Sequence, residues 1–452
     1  MKDKQKNIFF KGKSSYTQQI VGGFLLIIFI GAMLLMLPIS SRERTWTSFM
    51  NAFFTATSAT CVTGLIVYDT FTHWSIFGQL VIITMVQIGG IGFMSILTML
   101  SFVVKRKIGL HERQLMVQTS GMLHLAGAVR LVRRIFVGSL IIEGIGTVFL
   151  AIRFVPKMGF LTGIYNAAFL SVSAFNNAGI DLMGRYEPFS SLTLFADDLL
   201  VILTVSVLII LGGIGFIVWD DVLKHRLAFN KYELHTKIVL VTSGFLMLLG
   251  WLLFFVFERR GGLMGQPLSQ QILQSFFYSV TLRTAGFVTF SPNHLSESGA
   301  LLTLILMFIG ASSGSTGGGI KVTTFAILVL SAISSARQRR HIVIFKRQID
   351  NETVKQASAM LITYVAVVLG MTLILTMIEP YSMKESLFET ISAITTVGLS
   401  LGITPAHGLF AQLVVTLLMF IGRIGFLTLI IALSGKYQEP PIERVTEKIL
   451  IG

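Results

Sequence analysis

The chain has 452 residues, of which 53% are hydrophobic and only 13% are charged, and its mean hydropathy is +0.77. A soluble domain carries about 25% charged residues, so this composition excludes soluble enzymes, disordered proteins and coiled coils and predicts an all-α polytopic membrane protein. The single cysteine, Cys61, excludes an internal disulfide framework and a Cys-based zinc cluster. The net charge of +14 would suggest a nucleic-acid partner in a soluble protein, but in a membrane protein it indicates cytoplasmic loops beside anionic lipid.

Eight apolar segments are long enough to cross the hydrocarbon core, which takes about 20 residues. In chain order they are 18–37, 77–104, 135–155, 195–219, 238–257, 301–334, 357–378 and 409–433. The first is too long for a signal peptide and lacks a small-residue cleavage site, so we expect a permanent helix. An even number of spans places both termini on the same side of the membrane.

Basic residues distinguish the two sides of the membrane. Most of the 36 Lys and Arg residues lie in the N-terminal tail, in 105–134, 224–237 and 337–355, and in the C-terminal tail. By the positive-inside rule these segments face the cytoplasm. We therefore expect a multi-pass protein of the bacterial plasma membrane with both termini cytoplasmic.

Each loop on the opposite side contains a second apolar stretch that is too short to span and that leads to a glycine. The stretches are 46–59, 161–174, 272–281 and 386–394. The glycines are Gly64, Gly179, Gly286 and Gly398, and they lie about 110 residues apart. Recurrence at this interval, always in the order span, short stretch, glycine and span, indicates an internal fourfold repeat.

The spans that follow these glycines also repeat. Gly-Gly-Ile-Gly-Phe occurs at 89–93 and 212–216, and Gly-Arg-Ile-Gly-Phe occurs at 422–426. Close helix packing at small residues explains much of this pattern, but it does not explain a glycine after every short stretch. We therefore predict four pseudo-repeats of helix, pore loop and helix around a central ion pore. Their predicted bounds are 1–104, 105–224, 225–336 and 337–452.

Four such loops predict a cation pathway. Non-helical backbone at membrane depth is tolerated only where it lines water or is buried in protein. Loops around a pseudo-fourfold axis would present their carbonyl groups to a common centre, and such rings replace the hydration shell of a monovalent cation. Each short helix would also aim the negative end of its dipole at that centre. The seven-residue motifs that end at the glycines contain no Asp or Glu, which disfavours a calcium-type carboxylate ring.

This pattern resembles the bacterial Trk/Ktr potassium transporters and the related plant HKT proteins over essentially the whole chain, and most of all the membrane subunit of a Ktr system (KtrB or KtrD type). The resemblance implies potassium as the transported ion and a filter formed by each loop glycine and the two residues before it. Carried over to this sequence, the filter residues are Val62, Thr63, Gly64, Asn177, Ala178, Gly179, Thr284, Ala285, Gly286, Thr396, Val397 and Gly398. It further implies a homodimer on a cytosolic ring of nucleotide-binding RCK subunits (KtrA or KtrC type), with no cofactor in this chain.

Two features of the filter loops bear on selectivity. In the plant branch a Ser at the first glycine position goes with sodium preference, so Gly64 resembles the potassium-selective type. The second loop departs from a Thr-rich filter with Asn176 and Asn177, and the third has Arg283. These departures predict an asymmetric filter that is less selective than a true fourfold one.

Residues 310–321 interrupt the second span of the third repeat with five glycines and four hydroxyl residues, which a regular helix does not favour. A phosphate-binding loop is excluded because Ile320 separates the glycines from Lys321 and no strand precedes them. In the resembling family this segment, here 310–320, is an intramembrane gating loop beneath the filter. The gate residues so implied are Gly310, Gly314, Gly317, Gly318, Gly319, Lys321 and Arg423.

Three charges lie inside apolar spans, where a charge is costly unless it is paired or hydrated. Arg423 takes the place of Gly90 and Gly213 in the repeat. It either pins helices together through carbonyl contacts or acts as a cation barrier and latch on the glycine-rich loop, which the family favours. Lys321 either holds the gate or marks the cytoplasmic return of its span. Glu143 has no partner that the sequence identifies.

The leading hypothesis is therefore potassium translocation by a channel-like membrane subunit that is not an enzyme. The alternative is a sodium-selective or sodium-coupled transporter of the same fold. A polytopic membrane enzyme would need polar catalytic groups clustered near one face, and the sequence contains no such cluster of His, Asp or Ser. The eight His residues share no metal-ligand spacing, so no metal is expected beyond the permeating ion.

Overall fold

The structure is a computed structural model that describes residues 16–92, 128–339, 341–433 and 447. The predicted span 77–104 is therefore described only in part. The two basic tails and most of the basic loop 105–134, on which the predicted orientation depends, lie outside the described residues.

The described residues form α-helices joined by short turns and one small hairpin, so the all-α prediction is confirmed. The helices, numbered in chain order, are α1 (Tyr16–Met36), α2 (Phe49–Cys61), α3 (Thr70–His73), α4 (Ile76–Ile91), α5 (Ala128–Met158), α6 (Phe160–Phe175), α7 (Leu199–Gly213), α8 (Phe216–His225), α9 (Leu234–Glu258), α10 (Leu268–Thr281), α11 (Glu297–Phe308), α12 (Val322–Ala336), α13 (Asn351–Ile378), α14 (Met383–Thr395), α15 (Leu409–Ile424) and α16 (Phe426–Leu433). The hairpin pairs β1 (Val343–Ile344) with β2 (Arg347–Gln348) in antiparallel register.

Four helices, α1, α5, α9 and α13, are long and apolar enough to cross a membrane unaided. Each opens one of the predicted repeats. Their outer faces carry large apolar side chains that are about half exposed, such as Leu26, Val148, Leu252 and Leu373. Helices of this kind suit a lipid environment because hydrocarbon, not water, meets those side chains.

Among the described residues, the second span of each repeat ends or breaks before it forms one long helix. The segments α7 and α8 meet at an angle of 96°. Gly92 follows the end of α4, Gly215 separates α7 from α8, and Gly425 separates α15 from α16. Their φ values are +88°, +96° and +90° respectively. A positive φ lies outside the right-handed helix, and glycine adopts it readily. The sequence predicted a break only in the third repeat, so this is a correction for the spans 195–219 and 409–433, which were expected to be continuous.

Four short helices, α2, α6, α10 and α14, correspond to the stretches predicted to be too short to span. Most of their residues are buried, and some of their hydroxyl groups donate within their own helix, as Thr57 Oγ1 does to the Phe53 carbonyl and Thr395 Oγ1 to the Ile391 carbonyl. We call them pore helices.

Contacts between the repeats close into a ring. Each pore helix packs against the second span of the preceding repeat: α2 on α15, α6 on α4, α10 on α7, and α14 on α11. The first repeat therefore meets the fourth, and the C-terminal ends of all four pore helices are brought to one region of the molecule.

Candidate functional site

The backbone after each pore helix has the same conformation in all four repeats. The residue two positions before each loop glycine is left-handed, with φ of +57° at Val62, +59° at Asn177, +66° at Thr284 and +54° at Thr396. The glycines themselves have φ of +95° at Gly64, +67° at Gly179, +79° at Gly286 and +89° at Gly398. A left-handed residue is a common way to end a helix, and here it turns the chain into the loop.

The four loops touch one another in a closed ring. A Cβ atom on any of the four glycines would lie closer than 3.0 Å to the carbonyl oxygen that precedes the glycine of the next loop. These oxygens belong to Ala178, Ala285, Val397 and Thr63 for Gly64, Gly179, Gly286 and Gly398 respectively. Glycine is required at each position because both the positive φ and the neighbouring carbonyl exclude a side chain.

The carbonyl groups of this ring are not used by the protein itself. In none of the twelve filter residues assigned by resemblance does the carbonyl oxygen accept a hydrogen bond from another described residue. Unpaired backbone oxygens at this depth are costly unless something else binds them. An ion centred in the ring would be such a partner, because stacked carbonyl oxygens are the ligands that a dehydrated monovalent cation accepts.

A serine in the last turn of three pore helices holds the filter loop. The hydroxyl of Ser58 accepts from the amide of Gly64, that of Ser173 from Ile180 and that of Ser392 from Gly398, each over 3.1 Å. The third repeat has Val280 at this place, and there Thr281 Oγ1 donates to the Phe287 carbonyl over 2.7 Å. Sequence reasoning gave these hydroxyls no role, although Ser recurs six residues before three of the four glycines.

The glycines of the second spans also lie against the pore helices. A Cβ on Gly89, Gly212 or Gly422 would collide with the carbonyl oxygen of Thr60, Phe175 or Ile394, which lie in the last turns of α2, α6 and α14. These glycines therefore let the second spans approach the ends of the pore helices closely, as the helix-packing interpretation expects.

A cavity of about 630 Å³ opens on one side of the ring, and all four loop glycines line it. Asp69, Asp181 and Glu187 add negative charge to its wall. The Asp181 carboxylate accepts from the amide of Met183 over 2.9 Å. Burial, aided by the nearby charge of Asp69, nevertheless raises the pKa of Asp181 to about 6. The cavity is suited to collect a cation before it reaches the ring.

The other side of the ring is covered by the interrupted segment between α11 and α12. The amide of Gly318 donates to Thr396 Oγ1 over 3.1 Å, and a Cβ on Gly317 would collide with Thr284 Oγ1. Both threonines are among the filter residues that the family resemblance implies. The backbone of the glycine-rich segment therefore lies directly against the third and fourth filter loops.

Hydrogen bonds hold this segment at several points. The amide of Gly310 donates to the Ile320 carbonyl over 2.8 Å, so the chain leaves and returns at nearly the same place. The amides of Ser312 and Thr316 donate to the carbonyls of Gly213 and Gly212 over 3.0 and 3.3 Å. The segment is an ordered loop between two half-helices and not a frayed helix.

The two cations predicted for the gate both contact this loop. Lys321 Nζ donates to the Gly317 carbonyl over 2.8 Å. The Arg423 guanidinium donates to the Thr316 carbonyl and to the carbonyls of Gly89 and Gly90. Arg423 thus joins the fourth repeat to the loop and to the first repeat, so the two interpretations of this residue, pin and latch, describe one set of contacts. Gly314, another of the predicted gate residues, ties the loop to α8, because its carbonyl accepts a hydrogen bond from the Phe216 amide over 2.9 Å.

The two loops that depart from the Thr-rich pattern are joined to each other. Asn177 Nδ2 donates to the Arg283 carbonyl over 2.9 Å. The Arg283 side chain, which is 7% exposed, points away to the carbonyls of Ile309, Gly310 and Ser243 at 3.2–3.3 Å. Backbone oxygens therefore satisfy this buried guanidinium, and it does not enter the ring.

Comparison with known proteins identifies the family. Residues 1–443 match the family model described as TrkH, cation transport protein. The chain is 36% identical to the potassium/sodium uptake protein NtpJ of Enterococcus hirae, covering 97% of both chains. It is 39% identical to the Ktr system potassium uptake protein B of Bacillus subtilis, covering 93% of both chains. It is 38% identical to the protein of the same name in Vibrio alginolyticus, covering 98% of this chain and 96% of the other.

A solved structure has the same fold. The potassium transporter TrkH from Vibrio parahaemolyticus superposes with a TM-score of 0.74 at 17% identity, over 95% of this chain and 87% of the other. At that identity the likeness concerns the fold alone.

Proposed function

This chain belongs to the TrkH family of cation transport proteins, and from that premise we propose that it is the membrane subunit of a Ktr-type potassium uptake system. The ring of four loops carries this proposal. Four glycines with positive φ meet the carbonyls of their neighbours, and the twelve carbonyls of the ring accept no hydrogen bond from another described residue. A pathway of unpaired backbone oxygens, without a carboxylate among the ring residues, suits a monovalent cation.

Potassium is the proposed ion. Each of the relatives compared above carries potassium uptake in its name, and all four filter positions here are glycine. Sodium is the second candidate, because the name of the Enterococcus hirae relative includes sodium as well. The two candidates differ in which ion the ring prefers and not in the architecture.

The loop 310–320 is proposed as the gate. Its position against Thr284 and Thr396, and its bonds to Lys321 and Arg423, support this role. A loop of small residues that is held by a few hydrogen bonds can leave the pathway at modest cost, because it gives up little buried apolar surface.

The proposed setting is the bacterial plasma membrane, with both termini cytoplasmic, in a homodimer on a cytosolic ring of nucleotide-binding RCK subunits. The family resemblance supports this assembly, and two of the relatives named above are called components of a Ktr system. Copurification of the full chain with a co-expressed ring subunit, and the mass of the complex by light scattering, test it.

The function is tested by potassium uptake in a bacterium that lacks its own potassium transporters, with and without an added ring subunit. We expect growth at low external potassium and saturable uptake of potassium or rubidium. The same cells measured with sodium as the transported ion separate the two candidates. Uptake of sodium without potassium would favour the second candidate, and no uptake of either ion with the ring present would contradict the proposal.

A further inference from the structure

One buried acidic residue has no role in the pathway described above. Glu143 lies in the middle of α5 and is 4% exposed. Among the described residues no Lys, Arg or His lies within ion-pair distance of its carboxylate. A carboxyl group in a membrane span is retained only where other polar groups satisfy it, so its partners indicate its role.

Those partners are two amide side chains from different repeats. Gln87 Nε2, on α4, donates to both carboxylate oxygens of Glu143 over 2.9 and 3.1 Å. Asn176 Nδ2 donates to Gln87 Oε1 over 2.6 Å, to the Val172 carbonyl of its own helix over 2.9 Å and to Glu143 Oε1 over 3.2 Å. Because every amide hydrogen in this cluster is directed at an oxygen, the arrangement suits a carboxylate that accepts and does not donate.

Asn176 belongs to the second filter loop. It directly follows α6 and directly precedes the left-handed residue Asn177, and its side chain is fully buried. The backbone of Glu143 is attached to the same pore helix, since Ser171 Oγ donates to the Glu143 carbonyl over 2.7 Å. The backbone of Glu143 therefore contacts the pore helix, and its carboxylate contacts the first residue of the loop that follows that helix.

The other repeats hold the equivalent position in other ways. Three residues before the remaining filter glycines stand Cys61, Arg283 and Thr395. Arg283 donates to backbone carbonyls, and Thr395 Oγ1 donates within its own helix. The second loop is thus the one whose first residue depends on a carboxylate from another helix. The second loop is also joined to the third, because Asn177 Nδ2 donates to the Arg283 carbonyl.

We infer that Glu143 is the positioning residue of the second filter loop and thereby a determinant of ion discrimination, a role that rests on the proposed function. Its carboxylate fixes Asn176, and this sets the direction of the Asn177 and Ala178 carbonyls in the ring. Carbonyl groups that are held in fixed directions favour a dehydrated cation that fits the ring over one that does not.

The test is the ratio of potassium to sodium permeability of the purified full-length chain in liposomes, together with potassium binding measured by calorimetry in the presence of sodium. Glu143→Gln keeps the shape of the side chain but sets an amide hydrogen against the donors of Gln87 and Asn176. We expect the permeability ratio to fall about tenfold, the change that corresponds to loss of one hydrogen bond to a charged group. Exchanging the two side chains (Glu143→Gln with Gln87→Glu) returns a carboxylate to the cluster and should restore much of the ratio.

A matched control is Glu258→Gln. Glu258 is also fully buried, but it accepts from the amides of Gly262 and Ser296 outside the filter loops. This variant should lower the melting temperature and leave the ratio unchanged, so a general loss of stability is separated from a loss of discrimination.

A folded Glu143→Gln variant with the wild-type ratio and affinity would overturn the inference. If that variant does not fold, Asn176→Ala decides, because it leaves the bond between Glu143 and Gln87 intact. An unchanged ratio in Asn176→Ala would equally overturn the inference, and a reduced ratio supports it. Wild-type protein that neither binds nor conducts potassium would instead contradict the proposed function, and the two failures are therefore distinct.

Discussion

The amide of Gly318 donates to Oγ1 of Thr396 over 3.1 Å, so the glycine-rich loop of the third repeat is bonded directly to a filter residue of the fourth. Thr396 is fully buried and left-handed, and its backbone is therefore fixed by the same turn that forms the ring. A backbone N–H presents a partial positive charge to this oxygen. The loop therefore lies against the fourth filter loop with a backbone donor.

This bond predicts that Thr396→Val will increase conduction. The substitution keeps the shape of the side chain and removes the acceptor, which weakens the covering position of the loop by about 1 kcal/mol. For a two-state gate this corresponds to about a fivefold rise in flux while the open state is rare. The measurement is potassium flux from liposomes, normalised to folded protein.

Thr395→Val is the control for that experiment. Its hydroxyl donates within α14 to the Ile391 carbonyl and has no bond to the loop. Flux should stay near that of the wild type. Equal flux in both variants and in the wild type would mean that the bond between Thr396 and Gly318 does not hold the gate.

The loop itself gives a second prediction. Deleting 313–318 removes the glycine-rich centre that lies against Thr284 and Thr396, so we expect a folded protein with higher flux. Arg423→Ala should act in the same direction, because it removes the donor that binds the Thr316 carbonyl. It should also lower stability, since the carbonyls of Gly89 and Gly90 lose the same donor.

Flux in liposomes and melting temperature, both measured on the same purified preparations, separate the effect on conduction from the effect on stability. A deletion variant that is folded yet conducts no faster than wild type would make the loop a structural break between two half-helices. The gate would then have to be sought elsewhere in the chain.

The ring predicts a loss of selectivity for Gly286→Ser. A serine there would need a left-handed backbone, and its Cβ would collide with the Val397 carbonyl. We expect weaker potassium binding and more sodium permeation, because the carbonyls of two neighbouring loops must move apart. Gly64→Ser, which collides with the Ala178 carbonyl, should raise sodium permeation in the same way.

Gly370→Ser is a matched control, since a side chain at this position of α13 meets no atom within 4 Å. It should leave potassium affinity and the sodium ratio unchanged. Unaltered potassium uptake by Gly286→Ser over a full titration with sodium present would remove the assignment of the ring as the filter.

The outer cavity predicts a pH dependence. Because burial raises the pKa of Asp181 to about 6 from its ordinary value of 3.8, the folded protein binds this proton more tightly than the unfolded chain. The group therefore contributes stability at low pH that is lost as the pH rises from about 4 to about 6. The Asp181 carboxyl group on the cavity wall becomes negatively charged over the same pH interval. Potassium uptake at subsaturating concentration should therefore rise with pH through about 6.

Uptake measured between pH 5 and pH 7.5 checks this. Asp181→Asn should conduct with little dependence on pH over that interval. Glu187→Gln removes an exposed acid from the same cavity and should keep the wild-type profile. Identical pH profiles for the wild type and Asp181→Asn would show that this carboxyl group does not act on the incoming ion.

Much of the fold and of the ring could be predicted because the relevant signals are local. A pore helix is a short apolar stretch that ends in a glycine, and both features can be read from a few consecutive residues, as at Gly64 and Gly398. The left-handed conformation of the residue two positions before each glycine was not predicted, because β-branched residues such as Val62 and Thr396 rarely adopt positive φ. The breaks at Gly215 and Gly425 were missed, because a glycine inside an apolar span can either pack within a helix or end it, and the local sequence is the same in both cases.

The sequence by itself determined the membrane class and predicted the four repeats and the glycines of the ring, since apolar length, charge and glycine spacing depend on neighbours along the chain. Only the tertiary structure decided which repeats meet, and with them the partners of Glu143, Arg283 and Arg423. Arg423 reaches Gly89 and Gly90 because the fourth repeat packs against the first. Glu143 reaches Asn176 and Gln87 because α5 lies beside α6 and α4 ends near them. A buried polar or charged side chain takes whatever hydrogen-bond partner the packing of distant segments brings to it, and no local pattern encodes that choice.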